Sequence, residues 1–356
     1  MRRPRPQATA VLAALAALAL AAAPASAQST ARPLPALGLD SPISAVAASF
    51  PVAAPLAATA TPAAATVAEA SGPNDGAWVP AATTPEAESF SSLELFALVQ
   101  GEASLQDLGG TVALQRGGLD ATIGRRSADR AFALHLRSES TFYEWGSSTA
   151  LVPGSAKPFN DLYETSASLQ LAVRADATWT WLAGLEVTLG GEDLVDPTDA
   201  LTLGGLVGVR HQVADEVDFT FGLAGESRLE DDAWVMPFFG FDWRLAEDTR
   251  LALQGSEVRL EQGLTDDLGL SFLAGYDVRQ YRLNEDGPTA GGVFRDEQVQ
   301  VALGLDWQVS EAGRLGLTVG RNLWSEYSAL DGAGAELGLS EADPSTYVGL
   351  SLTFGM

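Results

Sequence analysis

Residues 297–309 read EQVQVALGLDWQV, and large apolar residues alternate in them with small or polar ones. An extended chain places on one side Val299, Val301, Leu303, Leu305, Trp307 and Val309. The opposite side carries Gln298, Gln300, Ala302, Gly304, Asp306 and Gln308. A period of two indicates a β-strand with two different faces. A water-soluble sheet packs its apolar face on a protein core, whereas a membrane-spanning barrel turns that face to lipid.

The same alternation recurs along the chain from Phe90 to Met356. It covers residues 132–137, 169–174, 178–189, 201–210, 217–224, 235–245 and 268–277. The less apolar face holds many Gly, Ala and Ser residues with scattered charges, and Lys157 is the only lysine of the chain. The outer face of a soluble sheet would be dense in Lys, Glu and Thr, so the small residues favour a confined lumen. Aromatic residues near the strand ends are typical of girdles at the two membrane interfaces.

The segments between the strands alternate in length. Short ones lie at residues 175–177, 214–216, 246–248, 265–267 and 311–313, and long ones at 146–165, 190–200, 283–296 and 328–346. Short turns at one rim and long loops at the other are typical of an outer-membrane barrel. Two connectors, 229–232 and 255–257, are short although the strand count places them at the long-loop rim.

We therefore predict an all-β fold, a single up-and-down antiparallel transmembrane β-barrel of about 14 strands. Twelve strands fit nearly as well, because a membrane strand needs about 9–11 residues. The expected strands begin near residues 109, 118, 130, 165, 178, 200, 217, 233, 249, 256, 268, 297, 314 and 346. An even number places both chain ends in the periplasm. Leu93–Gln100 either adds a strand or enters the barrel without joining its wall.

The N-terminal residues differ from the rest of the chain. Residues 1–27 combine a basic start, an Ala/Leu run and the triplet Ala25-Ser26-Ala27, the pattern of a secretory signal peptide. The run is shorter than the roughly 20 residues of a transmembrane helix. Residues 28–88 are rich in Ala, Pro, Thr and Ser, which predicts a disordered periplasmic leader because little apolar surface is available for burial. The predicted barrel domain comprises residues 89–356.

Composition excludes several classes of function. The chain has 21 basic and 46 acidic residues, for a net charge of −25. Nucleic-acid binding needs a clustered basic face, so we expect no nucleic-acid partner. The chain contains no cysteine, which removes disulfides, thiolate metal sites and cysteine nucleophiles. We expect neither a cofactor nor a metal centre.

The C-terminal residues carry a resemblance to known proteins. Residues 346–356 read TYVGLSLTFGM, and the alternating positions are Val348, Leu350, Leu352, Phe354 and Met356. This stretch resembles the C-terminal strand that the outer-membrane assembly machinery recognises in bacterial β-barrel proteins. The usual last residue there is Phe, whereas here Phe354 is third from the end. With YDVRQYRLNEDGP at residues 276–288, residues 109–356 resemble an outer-membrane barrel family of unknown function, which implies a fold and no activity.

Charges of both signs recur on the less apolar face. The candidate lumen-lining residues are Arg137, Arg174, Glu186, Arg210, Asp218, Asp242, Arg244, Arg259, Asp277, Arg279 and Asp306. Charges in a lumen must be paired or hydrated. They predict either a polar conduit for small solutes or a salt-bridged interior that braces a narrow barrel, and the sequence does not decide between these.

Two histidines, His135 and His211, raise the question of catalysis. His135 lies near Ser138 and Ser140, so an outer-membrane lipid hydrolase with a Ser/His site is an alternative. Such an enzyme needs a hydroxyl, a base and an orienting carboxylate in one cluster. The sequence HLRSES, residues 135–140, does not match the motif of known families, so we expect a lumen histidine in an ion network and no enzyme.

The predicted function is a non-enzymatic channel or structural barrel for small polar solutes, located in the bacterial outer membrane. The expected partners are outer-membrane lipids and the barrel assembly machinery. Acidic loop clusters are typical of solvated loop residues, and attraction of divalent cations is the alternative; they lie at Glu192-Asp193, Asp196, Asp199, residues 230–232, Glu285-Asp286 and Asp343. A soluble secreted β-sandwich that binds a ligand is the remaining alternative.

Overall fold

A computed structural model describes residues 88–106, 108–146, 151–152, 155, 157–159, 161–193, 195–230 and 232–355. The predicted signal peptide and leader lie outside these residues, as does Met356. In the part of the chain that is described, no helix is long and apolar enough to cross a bilayer.

The described residues form fifteen β-strands. Their bounds are β1 (Glu88–Ser104), β2 (Thr111–Arg126), β3 (Arg130–Gly146), β4 (Asp161–Arg174), β5 (Trp179–Glu192), β6 (Leu201–Ala214), β7 (Val217–Glu226), β8 (Trp234–Ala246), β9 (Thr249–Gln254), β10 (Glu257–Gly263), β11 (Leu268–Arg282), β12 (Val293–Ser310), β13 (Gly313–Leu330), β14 (Glu336–Ala342) and β15 (Ser345–Gly355).

The strands make one closed antiparallel ring. Each of β1 to β13 pairs with its sequence neighbour, and β15 joins β13 on one side and β1 on the other. β14 pairs with the outer part of β13, above the part that pairs with β15. Asp343 and Pro344 separate β14 from β15, so the two strands share one position and the ring has fourteen. The prediction of an up-and-down barrel of 14 strands is confirmed, and 12 is excluded.

The apolar face of the strands lies outside the ring. Leu185 is 66% exposed and Leu350 is 55% exposed, although both lie in the central parts of their strands, and Leu203 of β6 is 53% exposed. All described strands belong to one sheet, so these apolar flanks do not pack on a second sheet. The soluble sandwich is therefore wrong, because a closed ring with an apolar exterior is suited to hydrocarbon and not to water.

The two rims differ as the sequence predicts. One rim holds short turns, such as residues 215–216, 247–248 and 311–312, together with the first residue of β1 and the end of β15. Asp176 shapes one of these turns, since its Oδ1 accepts hydrogen bonds from the backbone N–H of Thr178 (2.8 Å) and of Trp179 (2.9 Å). These backbone hydrogen bonds lower the pKa of Asp176. The other rim carries the longer connectors, so the short-turn rim is periplasmic.

Two assignments from the sequence, at residues 109–118 and 328–346, need correction, and the role of Leu93–Gln100, which the sequence left open, is now decided. The strands expected near residues 109 and 118 are one strand, β2, because Thr111–Arg126 pairs without interruption with β3. Leu93–Gln100 belongs to β1 and supplies the missing member of the ring. The long loop expected at 328–346 contains the end of β13 and all of β14. Its Gly and Asp residues predict a loop, yet Asp331 and Gly334 form only the turn between two paired strands.

Several aromatic side chains inside the ring lie flat against glycines of a neighbouring strand. A Cβ built on Gly320 would lie 2.2 Å from the ring of Tyr347, and one on Gly118 would lie 2.8 Å from Phe96. Phe238 covers Gly208 and Gly222 in the same way. An aromatic ring over a strand glycine fills the space that the absent side chain leaves. Gly118, Gly208, Gly222 and Gly320 are thus required by packing.

This packing predicts the effect of a methyl group at Gly320. Gly320→Ala should destabilise the barrel by about 1–3 kcal/mol, because Tyr347 must leave its place, and its hydroxyl would lose the 2.9 Å hydrogen bond to Gln300 Oε1. The measurement is equilibrium unfolding in urea of protein refolded into vesicles. Gly269→Ala is the control, since its nearest neighbouring atom is 3.9 Å away. Equal stability of both variants would contradict the assignment.

Candidate functional site in the barrel interior

The structure places every predicted lumen residue on the face opposite the exposed apolar side chains. The cross-strand partners confirm a common face: Arg137 pairs with Asp120, Arg210 with Thr220, Asp218 with Asp242, and Arg279 with Asp296. Burial divides the set in two. Arg137, Asp277 and Arg279 are almost fully buried. The others are partly or well exposed: Arg174, Glu186, Arg210, Asp218, Asp242, Arg244, Arg259 and Asp306.

The buried group is organised around Glu139 on β3. Its Oε1 lies 3.0 Å from Arg116 Nε and 3.2 Å from Arg279 Nε, and its Oε2 accepts a hydrogen bond from Arg137. Arg279 also pairs with Asp277. Three guanidinium groups from β2, β3 and β11 thus meet one carboxylate inside the ring. These contacts connect opposite walls, and all four side chains are buried.

Asp296 on β12 continues the buried network toward the outer rim. It accepts hydrogen bonds from the Tyr143 hydroxyl (2.7 Å) and from Gln298 Nε2 (2.8 Å), and its Oδ2 lies 3.7 Å from Arg116 Nη2. Buried charges are tolerated when they are paired and hydrogen-bonded. Asp296 therefore links the charged layer to the aromatic residues above it.

An aromatic plug fills the outer part of the ring above the charges. It consists of Tyr143, Trp145, Phe159, Tyr281, Phe294 and Tyr327. The ring centroids of Phe159 and Phe294 are 4.3 Å apart, and Tyr143 meets Phe294 edge to face at 5.3 Å. Leu151 and Val152, from the connector between β3 and β4, are also fully buried in this cluster. These described residues of the connector therefore lie inside the outer part of the ring.

Neither the aromatic plug nor Glu139 and its partners in the charged layer were predicted from the sequence. Arg116, Glu139 and Asp296 each lie in phase with the inward-facing residues of their own strand, so the period-two pattern could have placed them inside the ring. Phe159 belongs to a loop, and nothing in its local sequence indicates that it turns inward. Loop residues that fold into a barrel leave no periodic signal.

A second closure lies at the outer ends of β5 and β11. Arg282 on β11 forms a parallel bridge with Gly191 on β5, although five strands separate them around the ring. The Arg282 side chain donates to the backbone oxygens of Asp199 (2.9 Å) and Gly291 (2.8 Å), and pairs with Glu230. One guanidinium thus ties three outer connectors together. At this level β5 and β11 are neighbours, and β6 to β10 lie to the side of them.

The periplasmic half of the interior is more open. Arg250 pairs with Asp242 and lies 3.6 Å from Glu261, and Arg259 lies 2.7 Å from Glu257. These side chains keep between 13 and 29% of their exposure, so water reaches them. Acids and arginines alternate around this half of the wall. It is the part of the interior that a solute from the periplasmic side can contact.

His135 lies in a hydroxyl–imidazole–carboxylate arrangement. A 3.0 Å hydrogen bond joins its Nδ1 to Thr122 Oγ1, and its Nε2 lies 3.1 Å from Asp120 Oδ2. Ser138 takes no part, since it contacts Thr165 on the exposed side at 3.2 Å, and Ser140 lies on that same side by alternation. His211 stacks on Trp179 with a centroid distance of 4.1 Å. The arrangement around His135 thus meets the distance condition for the hydrolase alternative, although Asp120 Oδ2 forms no hydrogen bond with the imidazole.

The acidic outer loops are engaged in local hydrogen bonds. Glu192 accepts from the backbone N–H of Asn284 (2.8 Å), Asp196 accepts from that of Thr198 (2.9 Å), and Asp343 accepts from Gln106 Nε2 (2.9 Å). Among the described residues, no group of three acids or histidines is arranged to hold a metal ion. Cation binding at these loops stays a prediction.

Comparison with known proteins gives distant structural similarity. No protein-family model matches the chain, and no curated protein does. The TodX monoaromatic hydrocarbon channel (ΔS2 mutant) of Pseudomonas putida is 12% identical, with 75% of this chain and 90% of that chain covered and a TM-score of 0.42. The COG4313 outer membrane channel from Pseudomonas putida F1 is 9% identical, with 80% and 100% covered and a TM-score of 0.41. The KdgM porin is 9% identical, with 74% and 98% covered and a TM-score of 0.32.

These similarities are too distant to carry an argument. The class follows from the chain itself, because a closed antiparallel ring with an apolar exterior, a polar interior and short turns at one rim defines an outer-membrane β-barrel. The protein is a multi-pass barrel of the bacterial outer membrane. The predicted assembly signal occupies β15, where Val348, Leu350 and Phe354 are exposed to the outside and the strand closes the ring against β1.

Neutralising Glu139, the central carboxylate of the charged layer, should have a large effect on the stability of the barrel. Glu139→Gln should lower the free energy of unfolding by about 3 kcal/mol or more, because Arg116, Arg137 and Arg279 would lose a shared buried partner. Urea unfolding in vesicles, followed by tryptophan fluorescence, measures the change. The matched control is Glu88→Gln, since the Glu88–Arg126 pair is largely exposed and should contribute less than about 1 kcal/mol. A small effect at Glu139 would show that the layer does not brace the barrel.

Proposed function

We propose that the protein is a non-enzymatic channel for small polar solutes, with its outer end closed in the state described here. The observation that carries the proposal is the difference between the two halves of the interior. The periplasmic half holds partly exposed charges of both signs, whereas the outer half is filled by the aromatic plug. A barrel needed only as a brace has no use for a hydrated, charged half.

The charged half is suited to polar solutes. Arg250, Arg259 and Arg210 lie among the carboxylates of Asp242, Glu257 and Glu261, so the wall presents both signs at short spacing. Rings of charged side chains select solutes by their charge and hydration. Mixed signs favour small zwitterionic or hydrogen-bonding solutes over simple ions of one charge. No specific solute follows from this arrangement.

Opening requires the plug to leave the outer end. Leu151, Val152 and Phe159 lie between β3 and β4 and contribute to the plug, and they belong to no strand of the ring. Loop residues move at lower free-energy cost than strands of a closed wall. These three residues are therefore the part of the plug whose displacement should open the path, and the Arg282 contacts hold residues of the neighbouring connectors in place.

Conductance tests this proposal. In planar bilayers the natural protein should be closed most of the time, and Trp145→Ala combined with Phe159→Ala should raise the mean conductance at least tenfold by removing two rings of the plug. Phe221→Ala is the control, because Phe221 is 41% exposed on the outside and should leave conductance unchanged. Absence of current in both the natural protein and the plug variant would favour the structural brace.

A second candidate is an ester hydrolase with Thr122 as nucleophile, His135 as base and Asp120 as the orienting carboxylate. The distances of 3.0 and 3.1 Å favour it. An oxyanion donor is the weak point, since the backbone of β2 and β3 around Thr122 and His135 is paired in the ladder and its N–H groups do not point into the lumen. We therefore place the channel first.

Hydrolysis of a 4-nitrophenyl ester by the refolded protein separates the two candidates. The channel proposal expects His135→Ala and Thr122→Val to leave the slow background rate within about twofold. A hydrolase would lose roughly a hundredfold or more in both variants. Ser138→Ala is the control, because its hydroxyl lies on the exposed side.

A further inference from the structure

The wall of the barrel extends least far toward the outer rim at β9 and β10. These strands have six and seven residues, and their turn is Gly255–Ser256. Crossing the hydrocarbon requires about 9–11 residues per strand. β8 and β11, the flanking strands, have 13 and 15 residues. The β9–β10 hairpin therefore ends inside the apolar layer, below the outer ends of its neighbours.

The shortfall leaves an opening in the wall, which we call the β8–β11 window. The last pair between β8 and β9 is Phe241–Leu253, so residues 234–240 of β8 have no partner on that side. On β11, Tyr276 still bonds to Ser256 through its backbone N–H (3.2 Å), and the next bridge is that of Arg282 to β5. β8 and β11 are not paired with each other.

The connector between β7 and β8 forms the upper border of the window. Leu229 packs on Val293 and Leu330 of β12 and β13, and Glu230 pairs with Arg282. Among the described residues, the hairpin turn lies below the window, β8 and β11 lie at its sides, and Leu229 and Glu230 lie above it.

The window faces the outer half of the membrane. Val235 and Phe239 of β8 flank it on the outer surface and are 73% and 50% exposed. They lie on the same outer face as Trp243, which is close to the periplasmic turn. The apolar exterior therefore continues past the hairpin tip. Hydrocarbon chains of the outer leaflet are the material at this depth.

The inner side of the window is amphipathic. Met236 belongs to the inner face of β8 and is nevertheless 43% exposed. Just below it, at the hairpin tip, the apolar side chains of Phe238, Phe241 and Leu253 lie close to Arg210, Thr220 and Asp242. The inner surface beside the window therefore presents both apolar and polar groups.

Backbone groups at the window narrow the choice of occupant. Open strand edges do not occur in contact with pure hydrocarbon, because each unpaired N–H or C=O costs several kcal/mol there. The edge of β8 over residues 234–240 therefore needs a polar partner, which an acyl chain cannot supply. An amphiphile supplies an apolar chain that lies in the bilayer and a polar head that bonds to the strand edge.

We infer that the β8–β11 window is a lateral binding site for a single-chain amphiphile that enters from the outer leaflet. The head lies at the open edge of β8 over residues 234–240, beside Met236, and the chain extends into the bilayer past Val235 and Phe239. This site is separate from the axial path closed by the aromatic plug. It therefore does not depend on the proposed channel function.

The absence of cysteine allows a clean test by single labels. Met236→Cys, Val235→Cys and Thr318→Cys are each labelled with bimane in the full chain and refolded into phosphatidylcholine vesicles. Val235 faces lipid, and Thr318 is on the inner face of the intact wall between β12 and β15. The quencher is 5-doxyl stearic acid. Quenching at Met236 should lie within about twofold of that at Val235 and be several-fold above that at Thr318.

The same label separates binding from simple contact with lipid. At equal mole fraction in the membrane, doxyl stearic acid should quench the Met236 label more than doxyl phosphatidylcholine does, and the excess should saturate. Unlabelled stearate should reverse it. Quenching at Met236 equal to that at Thr318 would overturn the window. Equal, non-saturating quenching by the two probes would overturn the binding site, and heat-modifiable migration confirms that each variant is folded.

Discussion

Closure of the backbone hydrogen bonds within the bilayer is the constraint on which this structure depends. A strand edge in hydrocarbon is costly, so the pairing of β1 with β15 determines whether the other strands can remain in the membrane. Nine consecutive residue pairs, from Ser92–Gly355 to Gln100–Tyr347, make this seam. The strictly apolar outer face and the small inner residues of β15 follow from its place beside β1 and β13. The hydrophobic effect then determines which face of each strand points outward. Ion pairs and side-chain packing determine how the interior is arranged.

The interior meets a second constraint, because a ring of fourteen strands is wider than its wall side chains can fill. The chain fills the outer half in two layers. Glu139 pairs with arginines from β2, β3 and β11, and the aromatic plug covers this layer with side chains from four strands and one connector. Removing charges from water is costly, and the cost is offset here by the ion pairs that Glu139, Asp277 and Asp296 make with the buried arginines. The periplasmic half lacks both layers, and its ion pairs include Arg259 with Glu257 within β10 and Arg250 with Asp242 between neighbouring strands.

The sequence was sufficient to predict the ring of strands, but it did not predict the side-chain contacts that cross the interior of the ring. Alternation gave the outward face of β12 and the inward position of every candidate charge, because pleating forces successive side chains to opposite sides. Strand limits were less certain where glycines weaken the pattern: Gly117-Gly118 made β2 look like two strands. The meeting of Arg116, Glu139 and Arg279 depends on the diameter and shear of the ring. Neither quantity is encoded in a single strand, and the inward fold of Phe159 and the bridge from Arg282 to Gly191 are equally non-local.

That bridge divides the barrel into parts with different tolerance for change. Above it, β5 and β11 are in contact, so the outer section closes without help from β6 to β10. The five intervening strands form a separate lobe, and the lengths of their hairpins are not fixed by the outer section. Natural variation in hairpin length should accumulate in this lobe first. A lineage could thereby alter what enters from the side while inheriting the rest of the scaffold intact.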